Sequence, residues 1–521
     1  MATSEYQVTD LAGSFVAGMR VPDSGVLSLS HEQASYPLIL GQIVLVGSPA
    51  AAIPSPAYLR TDLIGAKRNG IERAISVDTI LNASAFARAG LLIAAVGTSF
   101  EDGASRDTPP PATNPTRAFY NDGWLSWLRI LTNQRVNLPA EYVLGASGTS
   151  WNTPDTGITA QVDAVCRLYP KPTYCIVGGV PNDIGARSFA DIRTDWTAGI
   201  EKLIANGITP VTVTTLPRGS ASLSAAQLGV LLQMNRHIVD YSRLRGIDVI
   251  DAWRLMADQA STSSNALAGM IKTSDNLHPS TIGAFQWGKA AAAVFNRILS
   301  DRWDHFLAAA DIFSATTNKT GNLLFSGSAN YGLMAGTGGS QTASTGLTHS
   351  GSLAAGVTAV RSGSSTCAWT HAKENPRTDA GRSSGERQVE TIAANSGGGA
   401  DEVYNLRFSP AFANFSPGDV VEAMCSIEVH QAPARATALE LYLLETRPAN
   451  SYTAIDGALQ SSLSGFLPAE TWSGVLRAPP IRIEDDATAV ALNIRARLDA
   501  SAAAASIGFK VGDVSLRKLA A

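Results

Sequence analysis

Cysteine is scarce in this chain of 521 residues, and Cys166, Cys175, Cys367 and Cys425 form no Cys-x-x-Cys pair. That spacing gives no support to a zinc site. Cys175, inside an apolar run, reads as a small buried filler. Histidine is also rare. Besides His278 there are His31, His237, His305, His349, His371 and His430, with no His-Glu-x-x-His or other paired ligand spacing. Metal catalysis is therefore not expected. Positive charge is not in excess: the formal net charge of -4 argues against a protein built to grip phosphate backbones. No apolar run approaches the length of a bilayer-spanning helix. The start, Met1-Ala2-Thr3-Ser4-Glu5-Tyr6, lacks a basic segment followed by an apolar one, so no conventional secretion signal is expected. No heptad stretch fixes an oligomeric state.

What is present suits well-cored globular domains: 45% hydrophobic and 16% charged residues, in a chain long enough for two or three domains. Three parts are expected, 1–88, 89–305 and 306–521. In the middle part, short apolar runs at Leu91–Val96, 142–144, Tyr174–Val177, 210–214 and 248–250 read as strands. Amphipathic stretches at 117–132, 158–168, Phe189–Ala205, Ala225–Arg245 and 280–298 read as helices. Strands alternating with helices predict a parallel sheet covered on both faces, with ligands at the carboxyl ends of the strands. After about Asp311 helical periodicity disappears. Alternating runs at 403–408, 420–430, 439–444, 488–496 and 507–516 predict an antiparallel sandwich of two sheets.

Three distant segments read together as one hydrolytic site. Val96-Gly97-Thr98-Ser99-Phe100 offers a hydroxyl directly after a strand, and Asp275-Asn276-Leu277-His278-Pro279 an imidazole with a carboxylate three residues before it. Gly179-Val180-Pro181-Asn182-Asp183 offers an amide side chain after another strand. A serine hydroxyl is a poor nucleophile until a base takes its proton, and the base works best when a carboxylate fixes its tautomer. Gly381-Arg382-Ser383-Ser384-Gly385 also satisfies Gly-x-Ser-x-Gly. That motif needs a strand-to-helix turn, and its polar, loop-like surroundings make it a chance match.

Taken in order, the blocks resemble those of the SGNH (GDSL-like) hydrolase family, whose members are α/β esterases and lipases. The resemblance implies a flavodoxin-like α/β/α sandwich for the middle part, with Ser99 as nucleophile and His278 and Asp275 as base and orienting acid. It implies an oxyanion hole from the Ser99 N–H, the Gly148 N–H in Leu144-Gly145-Ala146-Ser147-Gly148-Thr149, and the Asn182 side chain, with no cofactor. Two departures stand out. Thr98 replaces the Asp that commonly precedes the family serine, and the usual Gly-x-Asn-Asp is stretched by one residue between Gly179 and Asn182.

The flanking parts carry looser resemblances. Asn322-Leu323-Leu324 and the stretch 509–519 resemble the first and last strands of jelly-roll carbohydrate-binding modules, in which Trp369 and Trp472 would be candidates to stack on a sugar. Residues 25–45 resemble anchoring segments at the start of some phage tail and baseplate proteins. Together these point to an esterase acting on an O-acylated, chiefly O-acetylated, bacterial surface polysaccharide. The expected setting is a phage tail fibre or tailspike, an assembly that is often a homotrimer, on the virion or released by lysis. Two alternatives stay open: a bacterial carbohydrate esterase outside any virion, and a glycan-binding protein on a retired hydrolase fold.

Overall fold

A computed structural model describes residues 91–102, 116–119, 123–219, 223–299 (without 262 and 264), 307–375, 385–449, 451–459 and 465–519, with short strands before residue 91. The chain forms two compact units, Met1–Ala83 and Ser84–Ala520. In the first, Thr3–Val8 pairs antiparallel with both Val26–Ser30 and Ile43–Leu45. The rest of the anchor-like stretch lies outside the described residues, as do residues 381–384 of the Gly-x-Ser-x-Gly match.

The second unit begins with β1 (Leu91–Val96) and a single helical turn, α1 (Ser99–Asp102). There follow β2 (Thr116–Phe119), α2 (Trp124–Leu131), β3 (Val136–Asn137), α3 (Ile158–Val165) and β4 (Tyr174–Val177). Next come α4 (Phe189–Ala205), β5 (Thr209–Val213), α5 (Ala225–Arg245), β6 (Val249–Ile250), α6 (Ala252–Met256) and α7 (Thr281–Ile298). A five-stranded sheet runs β3-β1-β4-β5-β6, all parallel. Numbered along the chain, these strands stand in the order 2-1-3-4-5, which reverses between β1 and β4. Such a reversal opens a crevice at the strands' carboxyl ends.

Burial follows the two-residue period of the strands. Ile93, Ala95 and Ile176 join a core with Trp124 of α2 and Trp287 of α7, whereas Ala94, Val96, Cys175 and Val177 face Val162, Trp196 and Ile238 of α3, α4 and α5. Both faces are thus covered, so these strands read as unbroken apolar runs rather than alternating ones.

Two sequence expectations shift here. The strand beside β1 is Val136–Asn137; residues 142–144 supply only a 3₁₀ turn and a bridge between Ala95 and Val143. The stretch 117–132 is not one helix: Thr116–Phe119 is extended, and the helix starts after Gly123, whose backbone is still extended at φ -117°. A partner in the other half of the unit explains the strand, since β2 pairs parallel with residues 453–456. Tertiary pairing overrides local propensity.

The second half holds two larger sheets. With β7 (Ser340–Gln341), β8 (Leu347–Gly351), β9 (Thr358–Ser362), β10 (Cys367–Glu374), β11 (Arg387–Ala394) and β12 (Glu402–Phe408) come β13 (Val420–Ala434), β14 (Ala436–Thr446), β15 (Tyr452–Leu459), β16 (Trp472–Arg477), β17 (Ala489–Leu498) and β18 (Ala505–Lys518). One sheet runs β7-β9-β12-β17-β14-β15-β2 and the other β8-β10-β11-β18-β13-β16. Interior pairs are antiparallel as expected, but the edge strands β7, β8 and β2 pair parallel. Leu406, Leu441 and Ile494 of one sheet share a single core with Trp369, Ile392 and Phe509 of the other. The two ends singled out in the sequence meet: Leu516 N–H donates to Asn322 Oδ1 (3.0 Å), and Asn322 Nδ2 to Val514 O (3.0 Å).

That core reaches into the parallel-sheet half. It includes Trp127 and Ile130 of α2 and Phe285 of α7. Trp127 meets Phe285 and Trp472 edge-on, at 4.8 and 5.2 Å between centroids. Buried polar groups cross the same junction: Gln134 Nε2 donates to Val475 O (2.8 Å) and Asp456 Oδ2 (3.3 Å), and Arg129 lies 3.9 Å from Asp456. Burial pushes the Asp456 carboxyl up, with the Arg129 guanidinium opposing.

Candidate active site

The carboxyl end of β1 delivers Gly97, Thr98 and Ser99. Gly97 is gripped from both sides by buried Gln161 of α3, whose Oε1 accepts the Gly97 N–H (2.8 Å) while its Nε2 donates to Gly97 O (3.0 Å). Thr98 O then accepts the N–H groups of Glu101 and Asp102 (3.1 and 2.9 Å), closing the turn that presents Ser99.

Ser99 Oγ lies 2.7 Å from His278 Nε2, and His278 Nδ1 lies 3.0 Å from Asp275 Oδ2. The other carboxylate oxygen of Asp275 accepts the N–H groups of Leu277 (2.8 Å) and His278 (2.9 Å). Burial alone would raise the Asp275 carboxyl; the two N–H groups and the His278 ring outweigh it and hold it below the ordinary carboxylate value. Backbone bonds pin the loop: Lys272 N–H to His278 O (2.8 Å), Asn276 N–H to Lys272 O (2.9 Å) and Gly219 N–H to Asn276 O (2.9 Å). Ser280 then caps α7 by accepting the Gly283 N–H. Phe100 meets the imidazole edge-on at 5.5 Å and rests on Trp287, which stacks on Trp124 at 4.5 Å.

Of the donors expected across the crevice, Gly148 and Asn182 lie on loops that touch. Gly148 has φ +75°, a conformation glycine adopts without penalty. A side chain there would meet no other group within 4 Å, so conformation rather than crowding explains the glycine. Asn182, despite the extra residue before it, reaches the same loop: its Nδ2 donates to Thr149 O (2.8 Å). That bond uses one amide hydrogen and leaves the second for another acceptor. The Asn182 loop is anchored by the Val180 N–H on Thr215 Oγ1 (2.8 Å), by the Arg218 guanidinium on Pro181 O (3.0 Å) and by buried Asp183, which accepts the Trp151 N–H and pairs with Arg187. Burial raises the Asp183 carboxyl.

Trp369 and Trp472 require a correction. Trp369 is wholly buried, with its indole N–H on Glu390, and Trp472 is buried against Trp127. Neither ring face is open for a sugar, because both complete the shared core. Among the described residues no group of three or more His, Cys, Asp or Glu could hold a metal ion, and no helix is long and apolar enough to cross a membrane.

The sequence reading missed Glu101, and the signal was present. Thr98-x-x-Glu101 is the spacing of a capping box, in which the fourth residue's carboxyl returns to the first residue's N–H. Glu101 Oε2 accepts the Thr98 N–H (2.8 Å), but unlike a surface cap it is fully buried. Burial pushes its carboxyl up to about 8, with the Thr98 N–H opposing. Folded, it keeps its proton to about 8, whereas an unfolded chain releases it near the ordinary 4.5. The folded state therefore binds more protons between these values, so stability falls as pH rises through that window and levels off above it. Glu101→Gln is expected to flatten this slope in urea midpoints measured between about pH 5 and pH 8. Equal slopes in the two proteins would rule the effect out.

No family model matches the chain, and no curated protein matches it. Solved structures similar to part of it include a member of the lipolytic protein G-D-S-L family from Veillonella parvula, at 19% identity over 39% of this chain and 98% of that one, with a TM-score of 0.30. The aryl esterase of M. smegmatis matches at 13% identity over 40% of this chain and 100% of that one (TM-score 0.31). The lipase/acylhydrolase of Enterococcus faecalis matches at 12% identity over 41% of this chain and 100% of that one (TM-score 0.30).

Proposed function

We propose that this chain is a serine esterase that removes O-acyl groups, chiefly O-acetyl, from a bacterial surface polysaccharide, as part of a phage tail fibre or tailspike. The observation that carries the chemistry is the continuous hydrogen-bond chain from Asp275 through His278 to Ser99 Oγ. His278 Nε2 takes the hydroxyl proton as Ser99 Oγ attacks the ester carbonyl. Asp275 stabilises the resulting imidazolium, and the N–H groups of Ser99 and Gly148 with the second Asn182 hydrogen hold the oxyanion, each donor being worth about 3–4 kcal/mol. The proton passes from His278 to the departing sugar oxygen. Water, deprotonated by His278, then cleaves the acyl-serine and releases the acid.

What supports a polymeric substrate is exposure. Ser147 and Gly148 are exposed, and the His278 and Asp275 side chains are 32% and 38% exposed, so an ester carried on a chain can reach them. With both tryptophans buried, the support for a sugar in the second half is its double-sheet architecture alone. The tail setting draws on the anchor-like sequence near the start, through which tail or baseplate proteins would be met.

The test is acetate release from O-acetylated bacterial glycans, together with labelling by a fluorophosphonate. Wild type is expected to release acetate and to label at Ser99, and Ser99→Ala to do neither. Equal, slow hydrolysis of activated acetyl esters by both proteins would sink the esterase reading. Sugar binding without labelling would turn it toward a binding protein, and failure to co-purify with particles would remove the virion.

A further inference from the structure

The carboxyl of Glu101 lies where three functional loops meet. Gly97 precedes the serine turn, Gly145 opens the loop that carries Gly148, and Gly178 opens the loop that carries Asn182. A side chain added to any of these glycines would run into Glu101. At Gly178 the nearest atoms are the Glu101 carboxyl carbon and oxygens at 2.7–2.8 Å; at Gly145 they are Glu101 Cβ at 2.7 Å and the Asp102 N at 2.9 Å. At Gly97 the three nearest atoms all belong to the Glu101 side chain. One oxygen of the carboxyl holds the Thr98 N–H, and the other, Oε1, has no hydrogen-bond partner among the described residues. A buried carboxyl half satisfied in this way costs stability, so it is an odd choice for a mere space filler.

We propose that Glu101 is the positioning residue of this site: it braces the Thr98 N–H and fills the space between Gly97, Gly145 and Gly178, setting the Ser99, Gly148 and Asn182 donors in one register. It acts through those loops and touches no substrate. The Asp missing before Ser99 is thereby offset by a carboxyl group two residues after Ser99, folded back under the same turn. This role rests on the esterase reading.

The three glycines make the role testable by coupling. The three atoms nearest to a Gly178→Ala methyl are all carboxyl atoms of Glu101. Gly178→Ala is therefore expected to lower kcat on 4-nitrophenyl acetate by about tenfold or more in wild type, and to cost little further in a Glu101→Ala background. Glu101→Ala alone is expected to lower kcat by about 10- to 100-fold with KM within about twofold, because displaced donors lose transition-state contacts rather than ground-state binding. Glu101→Gln, whose side-chain oxygen accepts the same N–H, is expected to recover most of that loss. Should Glu101→Ala fail to fold, Glu101→Asp, one methylene short of Thr98, is expected to show the same kcat loss. A folded Glu101→Ala or Glu101→Asp that labels with fluorophosphonate and turns over as fast as wild type overturns the inference. So does a Gly178→Ala penalty of equal size in both backgrounds. A wild type that neither labels nor turns over sinks the esterase reading first, and this role with it.

Discussion

Asp275→Asn is expected to lower kcat by about four orders of magnitude while leaving the protein folded. The reason lies in how the carboxylate is held. Oδ1 accepts the N–H groups of Leu277 and His278, and only an oxygen can do that. An asparagine must therefore keep its oxygen there and turn its amide nitrogen toward His278 Nδ1. A ring nitrogen facing an N–H donor has to act as acceptor, so the imidazole proton moves to Nε2, the nitrogen 2.7 Å from Ser99 Oγ. The base then points a hydrogen at the hydroxyl it should deprotonate. The loop keeps its backbone bonds, so thermal stability should change little. Single-turnover kinetics with an activated acetyl ester would measure the loss. A variant within about tenfold of wild type would show that another group serves as base.

Trp127→Ala is expected to destabilise the unit by about 3–5 kcal/mol, as large aromatic deletions from cores do. Trp127 is fully buried on α2, yet its edge-on partner Trp472 belongs to β16 of the second half, and its other partner Phe285 to α7. Deleting the ring opens a void between Phe285 and Trp472 at the junction, which is also crossed by buried Asp456 with its neighbours Arg129 and Gln134 from the parallel-sheet side. Urea unfolding followed by intrinsic fluorescence should show a lower midpoint with an unchanged slope. Fluorophosphonate labelling should vanish in the same transition, because the halves share one core. A loss below about 1 kcal/mol, or labelling that survives loss of the sandwich signal, would show that the junction is only a contact between independent pieces.

Much of the site was legible because its signals are local. Asp275 and His278 lie on one short loop, and Ser99 follows an apolar run that only a doubly covered strand explains. Long periodic helices such as Phe189–Ala205 and Ala225–Arg245 were readable to the residue, the second bearing a Ser224–Gln227 capping box and a left-handed Gly246 at its end. What escaped depends on distant partners. Thr116–Phe119 is a strand only because β15 offers it an edge, Trp369 is a core residue only because two sheets close over it, and Trp472 only because Trp127 of α2 packs on it. Glu101 escaped for a different reason: an acidic residue beside a nucleophile reads as solvent-facing until the glycines around it are seen to come from three loops.

The parallel pairing of Thr116–Phe119 with residues 453–456 also sets an order of events during synthesis. The stretch that leaves the nucleophile turn emerges from the ribosome long before its partner does: Gln134 and its acceptor Asp456 are separated by 322 residues. At about 5–20 residues per second, the first half waits on the order of tens of seconds with Trp127 uncovered and a strand unpaired. Until the sandwich is made, the parallel-sheet half carries an exposed apolar patch and an open strand edge. A chain cut before residue 453 would leave Thr116–Phe119 without its partner strand and Trp127 without Trp472.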